Sequence, residues 1–467
     1  MQIPGHIFKS YDLRGLYPSE FNEENAVPIT KAIYGFFKKA FPEKEHLTVV
    51  LGRDMRVSSP AIFDVMQKTL VDLGAEVIVP GLVSTPTFYF AVFHYKYDCG
   101  IQITASHNPK DWNGLKFVTN SGTGLIKIGK STGMEEIKEN VMAEVFPENI
   151  DGGKVTEIEG VVKEEVTSAL KIVGDPEVTP FKVVVDASNS VGGLYFDELY
   201  SKIPGELVRM NFELDGTFPV HAADPLDPKN LVDLQKKVVE TGADFGMEPD
   251  GDGDRLFFID ERGEVVSPSK ITAIVARELL REHKGEKILF DIRYMMTPKR
   301  ITEENGGEAV LTKVGHAFIT EKMNESGGIF AGESSAHFFF RATGNAEGPL
   351  LAILHIMKVM TEQGKKLSEL AAEVERSKES GEINFRVKNA KEIMEKLKIA
   401  HSDGEIMEID GVAVQYPDWR FSLRTSNTEP MLRLNVEEEI EGYSGRHQKL
   451  VEEINAIAEF DTDSSGH

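Results

Sequence analysis

The chain has 467 residues, of which 41% are hydrophobic and 27% are charged, as expected for a folded globular protein. At about 150 residues per domain, this length predicts roughly three domains. The net charge of −24 disfavours nucleic acid or an anionic membrane surface as the main partner. The single cysteine, Cys99, excludes an intrachain disulfide and a zinc site built from cysteines.

The hydrophobic pattern disfavours two further classes of protein. The first residues lack the basic stretch and apolar run that are typical of a signal peptide. No uninterrupted apolar segment approaches the ~18 residues that would span a bilayer. We therefore expect a cytoplasmic protein without a membrane partner.

Three stretches of the chain share one plan, in which short apolar strands alternate with helices. In the first stretch, Ile62, Met66 and Leu70 recur at helical spacing between two apolar runs. Its predicted elements are a strand at 47–51, a helix near 62–73, a strand at 74–79, a helix at 87–93 and a strand at 100–103.

The same alternation continues along the chain. Strands are predicted at 182–186, 205–208 and 243–247 in the second stretch, and at 287–291, 307–311 and 328–331 in the third. The pattern predicts three related α/β domains with mixed, mostly parallel sheets. The remainder predicts a smaller α+β unit, with helices at 390–397 and 444–458 and strands near Val412 and Leu432.

Polar or Gly/Pro-rich stretches mark the predicted domain boundaries. They occur at 147–154, near the turn at 260–263 and at 377–382. The predicted domains are residues 1–152, 153–260, 261–378 and 379–467.

In each repeat, the third strand is followed by a polar loop, at 104–109, 250–255 and 332–337. Ligands of open α/β sheets bind beyond the carboxyl ends of the strands. We therefore expect three loops from three domains to face one cleft.

The loop at 250–255 alternates aspartate with glycine. Three carboxylates at this spacing repel one another unless a cation lies between them, and hard oxygen ligands suit Mg²⁺ or Ca²⁺. A calcium EF-hand is rejected, because Arg255 stands at its sixth position, where the sharp turn needs glycine. Arg255 is better suited to a phosphate that also contacts the metal. The predicted metal ligands are Asp250, Asp252 and Asp254.

Ser106 is the candidate nucleophile. It follows an apolar strand, and Pro109 disfavours a helix at Asn108, so the serine is expected on an irregular loop. A serine near a metal and a basic residue, here Lys116, can accept and return a phosphoryl group.

Two further clusters have both a functional and a purely structural interpretation. The segment 424–430 offers an arginine, hydroxyls and an amide for a phosphate, or a polar turn. In 332–335, Glu333 and Ser335 can bind sugar hydroxyls or cap a turn. The turn at 11–15 contributes Arg14.

Taken together, these segments resemble the α-D-phosphohexomutase superfamily, and more closely its phosphomannomutase/phosphoglucomutase branch. The resemblance covers nearly the whole chain and keeps the family order, from residues 8–15 through the Ser106, Asp250 and Glu333 loops to the Arg424 loop. It implies three related α/β domains and a fourth of another type around a central cleft. In chain order, these would carry the phosphoserine loop, the metal site, sugar recognition and phosphate binding.

The resemblance also implies a role for each candidate residue. Ser106 would be the phosphoserine and, through its phosphate, a ligand of Mg²⁺ together with the three aspartates. Lys116 and Arg14 would assist proton transfer and charge stabilisation. The implied substrate-binding residues are Tyr11, Arg255, Arg293, His316, Glu333, Ser335, His337, Arg424, Ser426, Asn427, Thr428 and Arg433.

The implied activity is a reversible exchange between hexose 1-phosphate and hexose 6-phosphate, with mannose and/or glucose as the hexose. A hexose 1,6-bisphosphate would be both intermediate and activator, and the protein would be a monomer or homodimer. Ser334 stands where this branch usually has methionine, so the hexose stays open. The alternatives are a phosphoglucosamine mutase, a hexose 1,6-bisphosphate synthase, a metal-dependent phosphatase and a non-catalytic sugar-phosphate sensor.

Overall fold

Four β-sheets organise the part of the chain that this computed structural model describes, residues 3–425 and 431–461. They form three consecutive α/β domains and a final domain with an antiparallel sheet, which confirms the predicted fold class. Among the described helices, none is long and apolar enough to cross a membrane.

The first domain has a mixed sheet with helices on both faces. Its elements are β1 (Leu13–Leu16), α1 (Glu23–Ala40), β2 (Thr48–Arg53), α2 (Ser59–Asp72), β3 (Glu76–Val79), α3 (Thr85–His94), β4 (Cys99–Ile103), β5 (Trp112–Asn120), β6 (Leu125–Lys127), α4 (Glu135–Met142) and β7 (Lys154–Glu157). Val49 and Leu51 of β2 face the core beneath α1 and α2, and Val50 faces the core beneath α3. This alternation follows from the two-residue period of a strand.

The second and third domains repeat this plan. The second contains α5 (Val161–Ile172), β8 (Phe181–Asp186), α6 (Leu194–Tyr200), β9 (Gly205–Met210), α7 (Val232–Thr241), β10 (Phe245–Pro249), β11 (Leu256–Asp260) and β12 (Val265–Val266). The third contains α8 (Pro268–Glu282), β13 (Lys287–Asp291), α9 (Met296–Glu304), β14 (Glu308–Thr312), α10 (His316–Ser326), β15 (Phe330–Gly332), β16 (Phe338–Phe340), β17 (Ala346–Glu347), α11 (Pro349–Gln363) and α12 (Leu367–Val374).

The fourth domain has an antiparallel sheet covered by two helices. Its elements are β18 (Ser377–Glu379), β19 (Ile383–Arg386), α13 (Ala390–Ala400), β20 (Glu405–Met407), β21 (Val412–Gln415), β22 (Trp419–Thr425), β23 (Met431–Glu439) and α14 (Arg446–Ile457).

The three α/β domains share one strand order, as the predicted repeat requires. Each α/β domain has a central strand between two parallel neighbours. β2 lies between β3 and β4, β8 between β9 and β10, and β13 between β14 and β15. The strand that follows, β5, β11 or β16, pairs antiparallel with the last of these neighbours. The loops that leave β4, β10 and β15 therefore occupy equivalent places in the three domains.

Strand pairing extends two sheets beyond the expected boundaries. β7 pairs with β3 in the first sheet, and β12 pairs with β11 in the second, although they lie after the boundaries expected at residues 152 and 260. Most of β7 is exposed, so its side chains carry no apolar pattern that predicts a strand. This edge is held by backbone hydrogen bonds and by polar side-chain contacts of Thr156 and Lys154 with Glu76 of β3.

The hydrophobic cores connect the domains unequally. The second and third domains share one contiguous core, whereas the fourth has a core of its own around Phe421 and Leu434. Arg420 joins the fourth domain to the third: its guanidinium donates to the carbonyls of Ile292 (2.7 Å) and Arg293 (2.8 Å). Its ion pair with Glu437, at 2.9 Å, keeps the buried charge compensated.

A cavity of about 440 Å³ lies where α3, α5 and α11 of the three α/β domains meet. Glu165 of α5 borders it and accepts a hydrogen bond of 2.6 Å from Thr87 Oγ1. Burial raises the pKa of Glu165 from 4.5 to about 7, and the Thr87 bond offsets only part of that effect.

This shift predicts a pH-dependent cost to stability. The folded protein binds the Glu165 proton more tightly than the unfolded chain, so the contribution of Glu165 to wild-type stability falls as pH rises from about 5 through 7. Glu165→Gln keeps an acceptor for Thr87 and removes the charge. We expect its Tm to exceed that of the wild type by on the order of 2–4 °C at pH 8.5 and to match it near pH 5.

The control for this thermal measurement is Glu164→Gln on the same helix. Glu164 is largely exposed, and its hydrogen bonds to Tyr95 and His94 lower its pKa. Removal of its charge should give no gain at high pH. An equal gain for both variants would contradict the role of burial at Glu165.

Candidate active site

Loops from the three α/β domains meet at one place. The Ser106 loop follows β4, the aspartate loop follows β10 and the Glu333 loop follows β15. Ser106 Oγ donates to Asp250 Oδ2 at 2.9 Å, and His337 Nε2 lies 3.2 Å from Asp254 Oδ1. The predicted convergence of the three loops is therefore present.

Ser106 is held in an unusual backbone conformation. Its φ of 52° lies in the left-handed region, which is uncommon for a residue with a Cβ atom. The Ser106 N–H donates to Thr104 Oγ1 at 2.9 Å, and the residue is 2% exposed. Such strain is typical of functional loops, because the surrounding contacts must stabilise it.

Arg56 supplies many of those contacts, and the sequence analysis missed it. The side chain is fully buried and donates to the carbonyls of Ser106 (2.7 Å), Asn108 (2.6 Å) and Pro109 (2.7 Å). Its Nε lies 3.2 Å from Asp54 Oδ2. Asp54 and Arg56 directly follow β2, which is the position at the carboxyl end of a central strand that could have identified them.

The aspartate loop depends on two glycines. A Cβ atom on Gly251 would lie 2.4 Å from the Ser106 carbonyl oxygen, so only glycine permits this approach of the two loops. Gly253 has a φ of 77°, and its N–H donates to Asp250 Oδ1 at 3.0 Å. The three carboxylates consequently converge, and their ligand atoms lie within 4.8 Å of one another.

Lys116 of β5 compensates this negative charge. Its Nζ donates to Asp252 Oδ2 at 2.7 Å and also to Asp254. Burial opposes the charge on Lys116, but the two carboxylates outweigh burial and raise its pKa above the usual value. Lys116 is therefore a cation in this arrangement.

The aspartates themselves differ in their surroundings. Burial, with the nearby charges of Asp254 and Asp252, raises the pKa of Asp250 to about 7. Asp252 Oδ2 also accepts from Thr85 Oγ1 at 2.7 Å, but its buried Oδ1 has no hydrogen-bond partner among the described residues. An unpartnered carboxylate oxygen next to two further carboxylates fits a divalent cation.

Two arginines lie beside these loops. Arg255 Nε is 3.9 Å from Asp250 Oδ2, and its buried Nε and Nη1 make no hydrogen bonds within the described part of the chain. These donors suit a phosphate oxygen. Arg14 donates to Asp12 Oδ2 at 2.8 Å and to the side chain of Asn108, so it contacts the Ser106 loop directly.

The Glu333 loop is held by charge on both sides. His337 Nδ1 lies 2.6 Å from Glu333 Oε2, and Arg293 Nη2 lies 3.2 Å from Glu333 Oε1. Burial would raise the pKa of Glu333, but these two groups hold it below its usual value. Arg293 also pairs with Asp291 at 3.0 Å and reaches Ser335 Oγ at 3.4 Å, so it orients this loop.

The two candidate histidines differ in protonation: His337 is favoured as the cation and His316 is neutral. Burial opposes the charge on His337, but Asp254 and Glu333 raise its pKa to about 9. Burial and the charges of Lys127 and Lys116 lower the pKa of His316 well below the usual value, so it is neutral. Neither ring nitrogen of His316 has a hydrogen-bond partner among residues 3–425 and 431–461.

Tyr11 joins the N-terminal turn to the third domain. Its hydroxyl donates to the Val314 carbonyl at 3.0 Å, and its ring contacts those of His316 and Phe318. Close packing also requires glycine at position 315, because a Cβ atom there would lie 2.5 Å from the Tyr11 ring.

The arginines of the fourth domain are paired with an acid that the sequence analysis missed. Glu382 accepts from Arg424 Nη2 and from Arg433 Nη1, each at 3.1 Å. A bound anion would compete with Glu382 for these guanidinium groups. The candidates Ser426, Asn427 and Thr428 lie outside the described residues.

Comparisons with known proteins agree with this arrangement. Models of phosphoglucomutase/phosphomannomutase α/β/α domain I match residues 5–147, domain II 164–263 and domain III 267–377, and the C-terminal domain matches 382–454. The chain therefore belongs to the phosphoglucomutase/phosphomannomutase family, which is a family of isomerases that move a phosphoryl group within a sugar phosphate.

Individual relatives match nearly the full length. A phosphomannomutase of Methanocaldococcus jannaschii is 36% identical, over 97% of this chain and 98% of its own. A protein named phosphohexose mutases from Xanthomonas campestris is 37% identical, over 94% and 95%. The crystal structure of a phosphoglucomutase/phosphomannomutase family protein from Burkholderia thailandensis has a TM-score of 0.85 at 29% identity, over 97% and 98%.

The contacts of Arg56 predict a loss of activity with limited loss of binding. Arg56→Lys retains the charge but cannot bridge three carbonyls, so the Ser106 loop loses its position. We expect kcat for sugar-phosphate isomerisation to fall about 10- to 100-fold while KM changes little, because small misplacements of reacting groups are costly. Steady-state kinetics provide the measurement.

The neighbouring Arg53→Lys is the matched control. Arg53 donates to the Asp54 carbonyl at 3.2 Å, and among the described residues its side chain makes no hydrogen bond to the Ser106 loop. It should retain wild-type kcat. A normal kcat in Arg56→Lys would show that the loop keeps its geometry without the arginine.

Proposed function

We propose that this chain interconverts hexose 1-phosphate and hexose 6-phosphate through phosphorylated Ser106 and a hexose 1,6-bisphosphate. The observation that carries the proposal is the 2.9 Å contact between Ser106 Oγ and Asp250 Oδ2 within the aspartate loop. It supports the proposal because the candidate nucleophile lies next to the carboxylates of the proposed cation site and near Arg255, whose Nε and Nη1 make no hydrogen bonds among the described residues and suit phosphate oxygens.

The proposed metal is Mg²⁺, held by Asp250, Asp252, Asp254 and the phosphate on Ser106. The converging carboxylates and the unpartnered Asp252 Oδ1 fit such an ion. When bound, Mg²⁺ would withdraw charge from the transferring phosphoryl group. Arg255, Arg14 and Lys116 would add further positive charge around that group.

The transfer proceeds in two matched halves. In the first, the Oγ–P bond of phosphoserine breaks as a sugar hydroxyl oxygen forms a bond to the same phosphorus, and the proton that this hydroxyl loses is passed to Ser106 Oγ. The bisphosphate then turns round, and its other phosphoryl group returns to Ser106 Oγ, while the proton that the serine hydroxyl gives up is passed to the sugar oxygen that the group leaves. Lys116 is the proposed proton carrier at the serine, and Arg14 is the proposed stabiliser of charge.

The sugar is proposed to lie between the Glu333 loop and the aspartate loop. Glu333 and Ser335 offer acceptors to hydroxyl groups, and neutral His316 offers unused ring nitrogens. Arg293 and His337 keep Glu333 ionised and oriented. Tyr11 is proposed to support this side through its contact with His316.

The phosphate that is not reacting is assigned to the fourth domain. Arg424 and Arg433, now paired with Glu382, would bind it with Ser426, Asn427 and Thr428. The Methanocaldococcus jannaschii relative is named a phosphomannomutase, which supports mannose as a hexose substrate. Glucose is proposed as the second hexose.

The test is a parallel assay of mannose, glucose and glucosamine 1-phosphates with Mg²⁺ and a trace of hexose 1,6-bisphosphate. We expect 6-phosphate to form from mannose and/or glucose 1-phosphate. Ser106→Ala should lower kcat by at least about 10³-fold while the sugar phosphate still binds, because only the covalent step is lost. The exposed Ser121→Ala is the control and should keep full activity.

Each alternative has its own outcome in that assay. Turnover of glucosamine 1-phosphate alone would indicate a phosphoglucosamine mutase, and net formation of bisphosphate would indicate a synthase. Binding without turnover would indicate a sensor, and steady release of inorganic phosphate would indicate a phosphatase. Wild-type kcat in Ser106→Ala would end the phosphoserine mechanism.

Loss of the metal predicts loss of turnover. EDTA should abolish activity, and Mg²⁺ should restore it. Asp252→Asn should raise the Mg²⁺ concentration for half-maximal activity about 10-fold or more and lower kcat, because it removes one anionic ligand. Asp233→Asn, at an exposed carboxylate on α7, should behave as wild type. Full activity of the wild type in EDTA would refute the metal site.

A further inference from the structure

A second cluster of potential metal ligands lies in the second domain, outside the site described above. Asp186 ends β8, His221 lies in the segment between β9 and α7, and Glu248 is on β10. Their ligand atoms lie within 4.8 Å of one another. Asp186 and Glu248 are fully buried, and the His221 side chain is 12% exposed.

The hydrogen bonds of His221 define which nitrogen faces the cluster. Nδ1 lies 2.9 Å from the Ala222 carbonyl oxygen, which can only accept, so Nδ1 carries a proton. Nε2 lies 3.2 Å from Asp186 Oδ2, which is also an acceptor. Either a second proton or a metal ion must therefore lie between Nε2 and the carboxylate.

Glu248 provides the independent observation. Its Oε1 accepts a 3.3 Å hydrogen bond from Ser188 Oγ, but its buried Oε2 has no hydrogen-bond partner in the described part of the chain. A buried carboxylate oxygen without a donor costs free energy unless a metal ion or a proton neutralises it. A proton on His221 can satisfy Asp186, but it leaves this oxygen without a partner.

We propose that Asp186, His221 and Glu248 bind a structural Zn²⁺ ion. Imidazole nitrogen with two carboxylates is a ligand set that zinc accepts, with water as the fourth ligand. At bond lengths of about 2.0 Å, a tetrahedral ion holds its ligand atoms roughly 3.3 Å apart, close to the 3.2 Å between Nε2 and Oδ2. The bond from Nδ1–H to a carbonyl is the outer contact that orients a metal-binding histidine.

A second outer contact fixes Asp186. Asn211 Nδ2 donates to both of its carboxylate oxygens, at 2.9 and 3.0 Å, and the Ser188 N–H donates to Oδ1 at 2.9 Å. These donors hold the carboxylate plane in place before any ion binds.

The position of this cluster gives the ion a structural role. Glu248 lies two residues before Asp250, and the Ala223 carbonyl, two residues after His221, accepts from the Gly251 N–H at 3.0 Å. Zinc would therefore clamp both chain segments that support the aspartate loop. The site is chemically distinct from that loop, whose all-oxygen ligands favour Mg²⁺.

The experiment measures zinc directly. Full-length protein is incubated with ZnCl₂, dialysed against millimolar MgCl₂ to fill the aspartate loop, and analysed by mass spectrometry of the metal. We expect about one zinc per chain in the wild type. His221→Gln and Glu248→Gln should each retain at least about 10-fold less zinc than the wild type, and so should the variant that carries both substitutions.

Two controls locate the ion. His401→Gln removes a histidine of matched exposure, 13%, that is paired with only one carboxylate, and it should retain zinc. Asp252→Asn should also retain zinc, and loss of zinc in that variant alone would show that the ion occupies the aspartate loop. Absence of zinc from the wild type, or equal zinc in Glu248→Gln, would overturn the proposal.

A second measurement on the wild type does not depend on whether a variant folds. Co²⁺ in place of zinc should give the visible absorption that is typical of a tetrahedral site, and Zn²⁺ should displace it. Zinc should also raise the Tm of the wild type. The increase should be smaller in the double variant, which lacks His221 and Glu248. An octahedral cobalt spectrum or an unchanged Tm would indicate that His221 is only a protonated partner of Asp186.

Discussion

Three buried carboxylates on one short loop are the constraint around which the active site is built. Asp250, Asp252 and Asp254 repel one another, and the first domain supplies the compensating groups, namely Lys116, Thr85 and the Ser106 hydroxyl. Separation of the first two domains would remove these partners and leave three like charges next to one another. The electrostatics of the loop therefore also hold the domains together.

The repeated topology explains why these groups meet. In each α/β domain the loop with chemical groups leaves the third strand of the repeat at its carboxyl end, so three copies of one connection are directed to a shared centre. Each copy then carries different side chains: a serine, a set of aspartates, or a glutamate with a histidine. One architecture thus supplies the proposed nucleophile, the proposed cation site and the proposed acceptors for hydroxyl groups.

The sequence predicted the fold class and the meeting of the loops, because apolar strands and polar strand ends leave local patterns. It did not identify Arg56, Thr85 or Glu382, whose partners are distant in the chain. Arg56 belongs to the site only because it reaches carbonyls some 50 residues away. The arginines of the fourth domain were predicted to bind substrate, but their pairing with Glu382 was not predicted, because no spacing pattern links it to them.

The apolar interior common to the second and third domains has a mechanical consequence. Side chains that fill one interior lose their partners simultaneously, so these two domains should melt as a single cooperative unit. The fourth domain has a core of its own, but Ala413 belongs to the shared interior and Arg420 donates to the backbone at Ile292 and Arg293. Detachment of the fourth domain would therefore expose part of that interior and leave these carbonyls without their donor.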